Sequence, residues 1–204
     1  RGIGDPRVLA AFSKVPRHLF VPPQEREKAY ADHPLAIGGG QTISQPYIVA
    51  LMTEQLNLKA DSKVLEIGAG SGYQTAILAE LCSRVTSIER IATLAQSAQQ
   101  LLRSLGHSNV QIRVEDGTLG WPEESPFDGI LVSAAAEQVP APLLDQLAEG
   151  GRLVIPIGST LAQTLTLVER QKGKFQTRQV CGCIFVPLIG VHGWEEGEVN
   201  AEEV

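Results

Sequence analysis

The stretch VLEIGAGSGYQTAILAEL (64–81) decides how the rest of the chain is read. Its opening, with Lys63 added, is the short apolar run KVLEI (63–67), which stops at a glycine-rich turn; residues 73–81 then carry helical spacing. Gly68, Gly70 and Gly72 therefore sit where a strand turns sharply into a helix. Residues without a Cβ permit that turn and let a ligand approach the backbone. The pattern is G-x-G-x-G, whereas a dinucleotide fingerprint places its third small residue where this chain has Tyr73. A bulky ring there is expected to crowd the helix N-terminus on which a pyrophosphate would rest, which favours a nucleoside ligand without one.

Outward from this stretch the same rhythm continues. RVTSIE (84–89), VQIRVE (110–115), FDGILVSA (127–134) and GRLVIPIG (151–158) read as further strands. Between them, Ile91, Leu94, Ala98, Leu101, Leu102 and Leu105 mark a helix that Gly106 ends, and residues 141–148 look helical. Alternation of this kind implies right-handed βαβ units, hence an α/β, doubly wound, Rossmann-like fold with a mostly parallel sheet. LAQTLTLVER (161–170) and KFQTRQVCGCIFVPL (174–188), separated by Gln171-Lys172-Gly173, predict an antiparallel hairpin at the C-terminal sheet edge. Upstream lies an N-terminal helical extension. Asp5-Pro6 opens a short helix over 7–14, VPRHLFVPP (15–23) predicts an extended connector, and Pro46 opens a helix. IGGGQTISQ (37–45), with three consecutive glycines, is expected to form no regular element. The whole chain, 1–204, reads as one domain: an N-terminal helical and flap region (1–60), a βα core (61–158) and a β-rich C-terminal region (159–204). The acidic tail GWEEGEVNAEEV (193–204) is expected to fray.

Three acidic positions stand at predicted strand ends. Glu89 follows Gly72 by 17 residues and is placed to accept from the two hydroxyls of a ribose. Asp116-Gly117 follows the third strand; the carboxylate could accept from an adenine amine, and the glycine lets backbone meet the ring edge. Glu66 could orient the glycine loop, face a positive centre of the ligand, or be a buried structural acid. Each feature alone is an ordinary turn or strand end, but together, in order and after successive strands, they point to nucleoside binding.

Composition narrows the partners. With 204 residues, 43% hydrophobic, 20% charged and a net charge of −6, the chain has the make-up of a folded domain and no basic balance for nucleic acid. No apolar run approaches the roughly 20 residues of a membrane span, and residues 1–14 have no leader-like apolar core, so neither membrane nor export is expected. Three cysteines suggest thiols in a reducing cytoplasm, and His18, His33, His107 and His192 lack metal-ligand spacing, so no metal is expected.

The glycine loop, Glu89 and Asp116-Gly117 together resemble the S-adenosylmethionine-dependent methyltransferases. VPRHLFVP (15–22), IGGGQTISQPYIVALMTE (37–54), DGTLGW (116–121), PFDGILVSAAAEQVP (126–140), LAEGGRLVIPIG (147–158) and FVPL (185–188) narrow the resemblance to the protein-L-isoaspartate O-methyltransferases, over about Asp5 to Leu188. Gln41-Thr42-Ile43-Ser44 is its most specific part. The resemblance implies methyl esterification of the free α-carboxylate of L-isoaspartyl residues in damaged proteins and peptides, initiating repair through a succinimide. It implies S-adenosyl-L-methionine as cofactor and S-adenosyl-L-homocysteine as product. By position, Ser44 would be catalytic, beside the substrate carboxylate. Gln41, Thr42, Ile43, Glu66, Gly68, Gly70, Gly72, Glu89, Asp116 and Gly117 would hold the cofactor, and Tyr47, Val186 and Pro187 would contact substrate. The expected form is a monomer. Ala36, Tyr47 and Ile189 depart from residues found in some members.

The chemistry is consistent with the residues. A carboxylate with a pKa near ~4 is already ionised at neutral pH and needs no general base, so the absence of a nucleophile–base constellation is expected. A hydroxyl at Ser44 could fix one oxygen and leave the other free to attack. Ser44 could equally be the N-cap of the helix that Pro46 opens. Alternatives are methyl transfer to another acceptor and a non-catalytic nucleoside-binding module; a nicotinamide-dependent dehydrogenase is disfavoured by Tyr73.

Overall fold

In the computed structural model, which describes residues 2–196, the chain runs α1 (Pro6–Lys14), β1 (Leu35–Gly38), β2 (Gln41–Ile43), α2 (Pro46–Leu56), β3 (Lys63–Ile67), α3 (Tyr73–Ala79), β4 (Arg84–Glu89), α4 (Ala92–Ser104), β5 (Val110–Val114), β6 (Phe127–Val132), α5 (Ala141–Asp145), β7 (Leu147–Gly158), β8 (Gln163–Gln171) and β9 (Lys174–Cys183). Seven strands form one sheet in the order β5-β4-β3-β6-β7-β8-β9. The pairs β5-β4, β4-β3, β3-β6 and β6-β7 are parallel, and β7-β8 and β8-β9 antiparallel. The α/β, mostly parallel architecture with an antiparallel C-terminal edge is therefore as the sequence predicts.

Alternation along β3 explains its central place. Val64 faces one core with Ile77, Leu78, Val85 and Leu102, onto which the N-terminal residues Val8, Phe20 and Met52 also pack. Leu65 and Ile67 face a second core with Ile130, Val132, Leu153 and Ile155. Both faces of the strand are thus covered by apolar layers, the usual condition of a parallel strand. After β3 the chain steps outward to β4 and β5, then returns to place β6 on the other side of β3. That reversal opens a crevice at the carboxyl ends of β3 and β6, where open α/β sheets bind ligands.

Several local expectations are corrected. Residues 37–45 are not irregular throughout: β1 and β2 form a two-stranded antiparallel ribbon, with Leu35 opposite Ile43 and Ala36 opposite Thr42. Gly38, Gly39 and Gly40, at φ 91°, 61° and 70°, make the tight turn that closes it, so the glycines serve the pairing. The connector at 15–23 contains a 3-10 turn over Arg17–Leu19 and is not extended throughout. Helix α5 stops at Asp145, well short of residue 148, because Leu147 already pairs with Phe127 to begin β7. The last strand ends at Cys183. Residues 193–196 do not all fray: the Trp194 backbone N–H donates to the Leu188 carbonyl (2.8 Å) and its indole N–H to the Ala135 carbonyl (3.0 Å). The rest of the tail expectation, on 197–204, lies outside the described residues.

Candidate active site

A cleft of about 970 Å³, its mouth included, opens at the crevice between β3 and β6. Its floor is the loop from Ile67 to Ser71. Glu89 to Ile91 at the end of β4 form one wall, and Ser133-Ala134 after β6 form another. Gln41, Thr42, Ile43 and Ser44 cross one side, Val186 to Ile189 the other, and Gly117 also borders the space.

The glycine loop is held in a form that only glycine adopts at ease. Gly68, Gly70 and Gly72 have φ of 89°, 54° and 89°. Gly68 is tied back by donating to the Ile88 carbonyl (2.8 Å), and Ser133 donates to the Ile67 carbonyl (2.8 Å), so the strand ladder extends to the rim of the cleft. A Cβ on Gly70 would stand 3.2 Å from Ile37 Cδ1, and one on Gly72 3.2 Å from Ala98 and Leu102. Gly72 thus serves close packing on α4 and does not border the cleft. A Cβ at Gly117 would come within 2.3 Å of Ile67 Cγ2, so backbone there lies hard against the end of β3.

Glu89 borders the cleft and is 7% exposed. One oxygen accepts from the Gly70 N–H (2.9 Å) and the other from the Ile91 N–H (2.9 Å). Each oxygen has two acceptor positions, so these bonds orient the carboxylate and leave it able to accept from a pair of hydroxyls. Asp116 is engaged within the chain. One oxygen accepts from the Thr118 N–H (2.8 Å) and hydroxyl (2.7 Å), and the other from the Val191 N–H (2.8 Å). Its neighbour Gly117 borders the cleft, and Oδ2, with one donor, keeps a second acceptor position.

Glu66 is fully buried and also stands outside the lining. Its Oε2 accepts from the Thr75 and Ser87 hydroxyls, both at 2.6 Å. Burial pushes its carboxyl up to about 7, with the two hydroxyl bonds opposing and the charge of Glu89 adding. The Glu66 Oε1 has no hydrogen-bond partner among the described residues, so the carboxyl is only half satisfied by the chain.

Tyr73 does not project across the helix N-terminus. Its ring is buried edge-on to Phe12 and Phe20 at centroid distances of 6.0 and 5.6 Å, and the residue forms part of the cleft wall. The crowding expected from its bulk is therefore relieved by packing against the N-terminal segment.

Ser44 stands between β2 and α2 at the cleft. The residue preceding α2 is Gln45, and no side chain caps that helix, so Ser44 is not its N-cap. Its carbonyl accepts from the buried Arg17 guanidinium at 2.8 Å. Val186 and Pro187 line the opposite side, held because Ala135 donates to the Val186 carbonyl (2.8 Å). Tyr47 is not part of the lining; its backbone N–H donates to Asp32. Residues that sequence reading did not single out include Met52, Ile91, Ser133 and Ala134. The carboxyl-end rule applied to the fourth predicted strand would have found the last two.

These walls suit an adenosyl cofactor: glycine backbone for close approach, a pre-oriented carboxylate for hydroxyls, and apolar Ile67, Ile88 and Ile91 for a flat ring. No helix of the described residues is long and apolar enough to cross a membrane.

Known proteins resemble the chain over nearly its whole length. Residues 1–193 match the family model described as protein-L-isoaspartate(D-aspartate) O-methyltransferase (PCMT). The chain is 60% identical over 195 residues to protein-L-isoaspartate O-methyltransferase 1 of Syntrophobacter fumaroxidans, covering 96% of this chain and 91% of that one. A solved protein-L-isoaspartate O-methyltransferase superposes with a TM-score of 0.84 at 31% identity, covering 94% of this chain but 63% of that longer one. A Plasmodium falciparum protein assigned to the same family, solved in complex with S-adenosyl-L-homocysteine, superposes with a TM-score of 0.82 at 29% identity over 93% of each chain.

Proposed function

Because this chain belongs to the protein-L-isoaspartate(D-aspartate) O-methyltransferase family, we infer that its cleft is where the methyl group of S-adenosyl-L-methionine passes to an isoaspartyl carboxylate. The protein is a methyltransferase that esterifies L-isoaspartyl residues of damaged proteins and peptides, the first step of their repair. The observation that carries the assignment of the site is the meeting, in one cleft, of Ser44, the glycine loop and Glu89.

S-adenosyl-L-methionine, when bound, supplies an electrophilic methyl on a sulfonium. In the proposed arrangement Gly68, Gly70 and Gly117 present backbone to it, Glu89 accepts from its ribose hydroxyls, and Gln41, Thr42 and Ile43 close over it. Glu66 and Gly72 act behind that surface, one under the loop and one against α4. Asp116 shapes the adenine side through Gly117. The Ser44 hydroxyl would donate to one oxygen of the substrate carboxylate and leave the other free to accept the methyl, whose bond to sulfur breaks as S-adenosyl-L-homocysteine leaves. Since that carboxylate is ionised at neutral pH, the chain needs to align it and exclude water, with no proton to remove. Val186 and Pro187 support the peptide on the opposite wall, with Tyr47 farther out. We also propose one domain, divided as the sequence suggests at about residues 60 and 158, acting as a cytoplasmic monomer without nucleic acid or membrane; the net charge of −6 supports the absence of a nucleic-acid partner.

The test is methyl transfer from labelled S-adenosyl-L-methionine to peptides identical except for one L-isoaspartyl or one L-aspartyl residue. Base-labile label on the isoaspartyl peptide alone is the expected result; label on neither, with cofactor bound, would move the protein to another acceptor. Ser44→Ala should lower kcat about 10²-fold, the scale for losing the alignment of a reacting group, and leave cofactor affinity nearly unchanged. Equal losses in both would remove Ser44 from its role.

A further inference from the structure

Arg17 lies in the VPRHLFVP stretch, outside the cleft lining, and is 1% exposed. Its Nε–H donates to the Ala29 carbonyl (2.6 Å) and its Nη2 to the Ser44 carbonyl (2.8 Å). The guanidinium carbon is 4.7 Å from the centroid of the Tyr73 ring. One buried cation therefore touches the substrate side of the cleft at Ser44 and the first residue of the helix that follows the glycine loop.

Burying a guanidinium costs free energy, and an apolar side chain of similar length would fill the same space without that cost. Burial is also the largest influence on its proton affinity, lowering it, with Tyr73 and Asp32 opposing. Nη1 has no hydrogen-bond partner. What the arginine adds over an apolar residue is a pair of directed bonds to two backbone carbonyls, beside its cation contact with the Tyr73 ring. The bond to Ser44 falls where the backbone has no regular pairing of its own, after Ile43 ends β2 and before Pro46 opens α2. The carbonyl of Ser44 shares a peptide plane with the N–H of Gln45, so holding it limits the ψ angle of Ser44 and the direction of its side chain.

We propose that Arg17 is the positioning residue of the substrate side: by holding the Ser44 carbonyl it aims the Ser44 hydroxyl at the isoaspartyl carboxylate. This rests on the reading of Ser44 given above. Arg17 touches neither substrate nor cofactor and acts only through Ser44.

A double-mutant cycle tests it, with Arg17→Lys, Arg17→Met, Ser44→Ala and both combinations, measuring kcat/KM on the isoaspartyl peptide and the Kd for S-adenosyl-L-homocysteine. Lysine keeps the charge but cannot span both carbonyls; methionine keeps the apolar stem and drops both donors. With Ser44 present, each Arg17 variant is expected to lower kcat/KM about tenfold or more, methionine further than lysine, while Kd stays within about twofold. In the Ser44→Ala background neither is expected to cost more than about twofold, as residues acting as a unit are non-additive. Losses that add in the double variants, or no loss in the single Arg17 variants, would overturn the proposal and leave Ser44 in place. Cofactor affinity falling in step with kcat/KM would make Arg17 a general structural residue and would also overturn it. If Ser44→Ala itself costs nothing, the reading of Ser44 and the proposal fall together.

Discussion

Glu66 and Glu89 end up with different jobs although both are carboxylates at the carboxyl ends of neighbouring strands. Glu89 is oriented by two backbone N–H groups and borders the cleft. Glu89→Ala is expected to weaken cofactor binding by about 1.5–3 kcal/mol, the range for a hydrogen bond to a charged group, measured by calorimetry; unchanged affinity would remove it from the ribose site. Glu66 is sealed beneath the loop with its carboxyl at about 7 against an ordinary 4.5. Below the ordinary value, folded and unfolded chains both hold the proton, and the contribution of Glu66 to stability is fully present. As pH rises through about 7 the folded state must ionise a buried group, and that contribution is lost. Urea unfolding of the wild type and Glu66→Gln should therefore diverge across this window, the wild type losing up to about 3 kcal/mol relative to the variant. Parallel pH profiles would show that Glu66 does not titrate there. The sequence placed both acids at strand ends, but nothing local says which is covered. The covering of Glu66 comes from Thr75 on α3 and Ser87 on β4.

At the scale of elements, the β1–β2 ribbon is the instructive case. Three glycines in a row suggest an absence of structure, because glycine loses the most conformational freedom when ordered. Here the left-handed turn they make lets flanking residues pair across it. Gly39 also sits against α4: a Cβ there would meet Ile91 Cδ1 at 3.4 Å and Leu94 Cδ1 at 4.0 Å. Gly39→Val adds strain of roughly 1–2 kcal/mol at a φ of 61° and pushes on Ile91, which borders the cleft. Cofactor Kd is expected to rise as the displaced Ile91 narrows the cleft, while the strain itself, present with or without cofactor, shows as a small fall in Tm. A large fall in Tm with unchanged Kd would separate the ribbon from the site. The strands β3 and β6 were legible because buried parallel strands are short apolar runs ended by turns. The end of α5 was not, since Leu147 leaves the helix only because Phe127 is there to pair with it.

For the whole molecule, the C-terminal segment closes the back of the site. The Val191 N–H donates to Asp116, the His192 N–H to the Thr118 hydroxyl, and Trp194 is fastened to Ala135 and Leu188. This leaves no room at Gly190, where an added Cβ would stand 2.0 Å from Asp116 Oδ1. Gly190→Ala should displace the segment, raising KM for isoaspartyl peptides several-fold with the sheet intact by circular dichroism; unchanged KM would make the closure irrelevant to substrate. The bond from the Val191 N–H to Asp116, 75 positions upstream, is invisible to any local pattern. By itself the sequence determined the α/β class, the parallel core, the glycine loop and the family. Those depend on apolar periodicity and on residues that tolerate a turn, and both are properties of neighbouring positions. Tertiary structure alone decided which carboxylates are covered, where Tyr73 points, and that Arg17 reaches Ser44. Those depend on contacts between segments far apart in the chain, and only the packed cores bring such segments together.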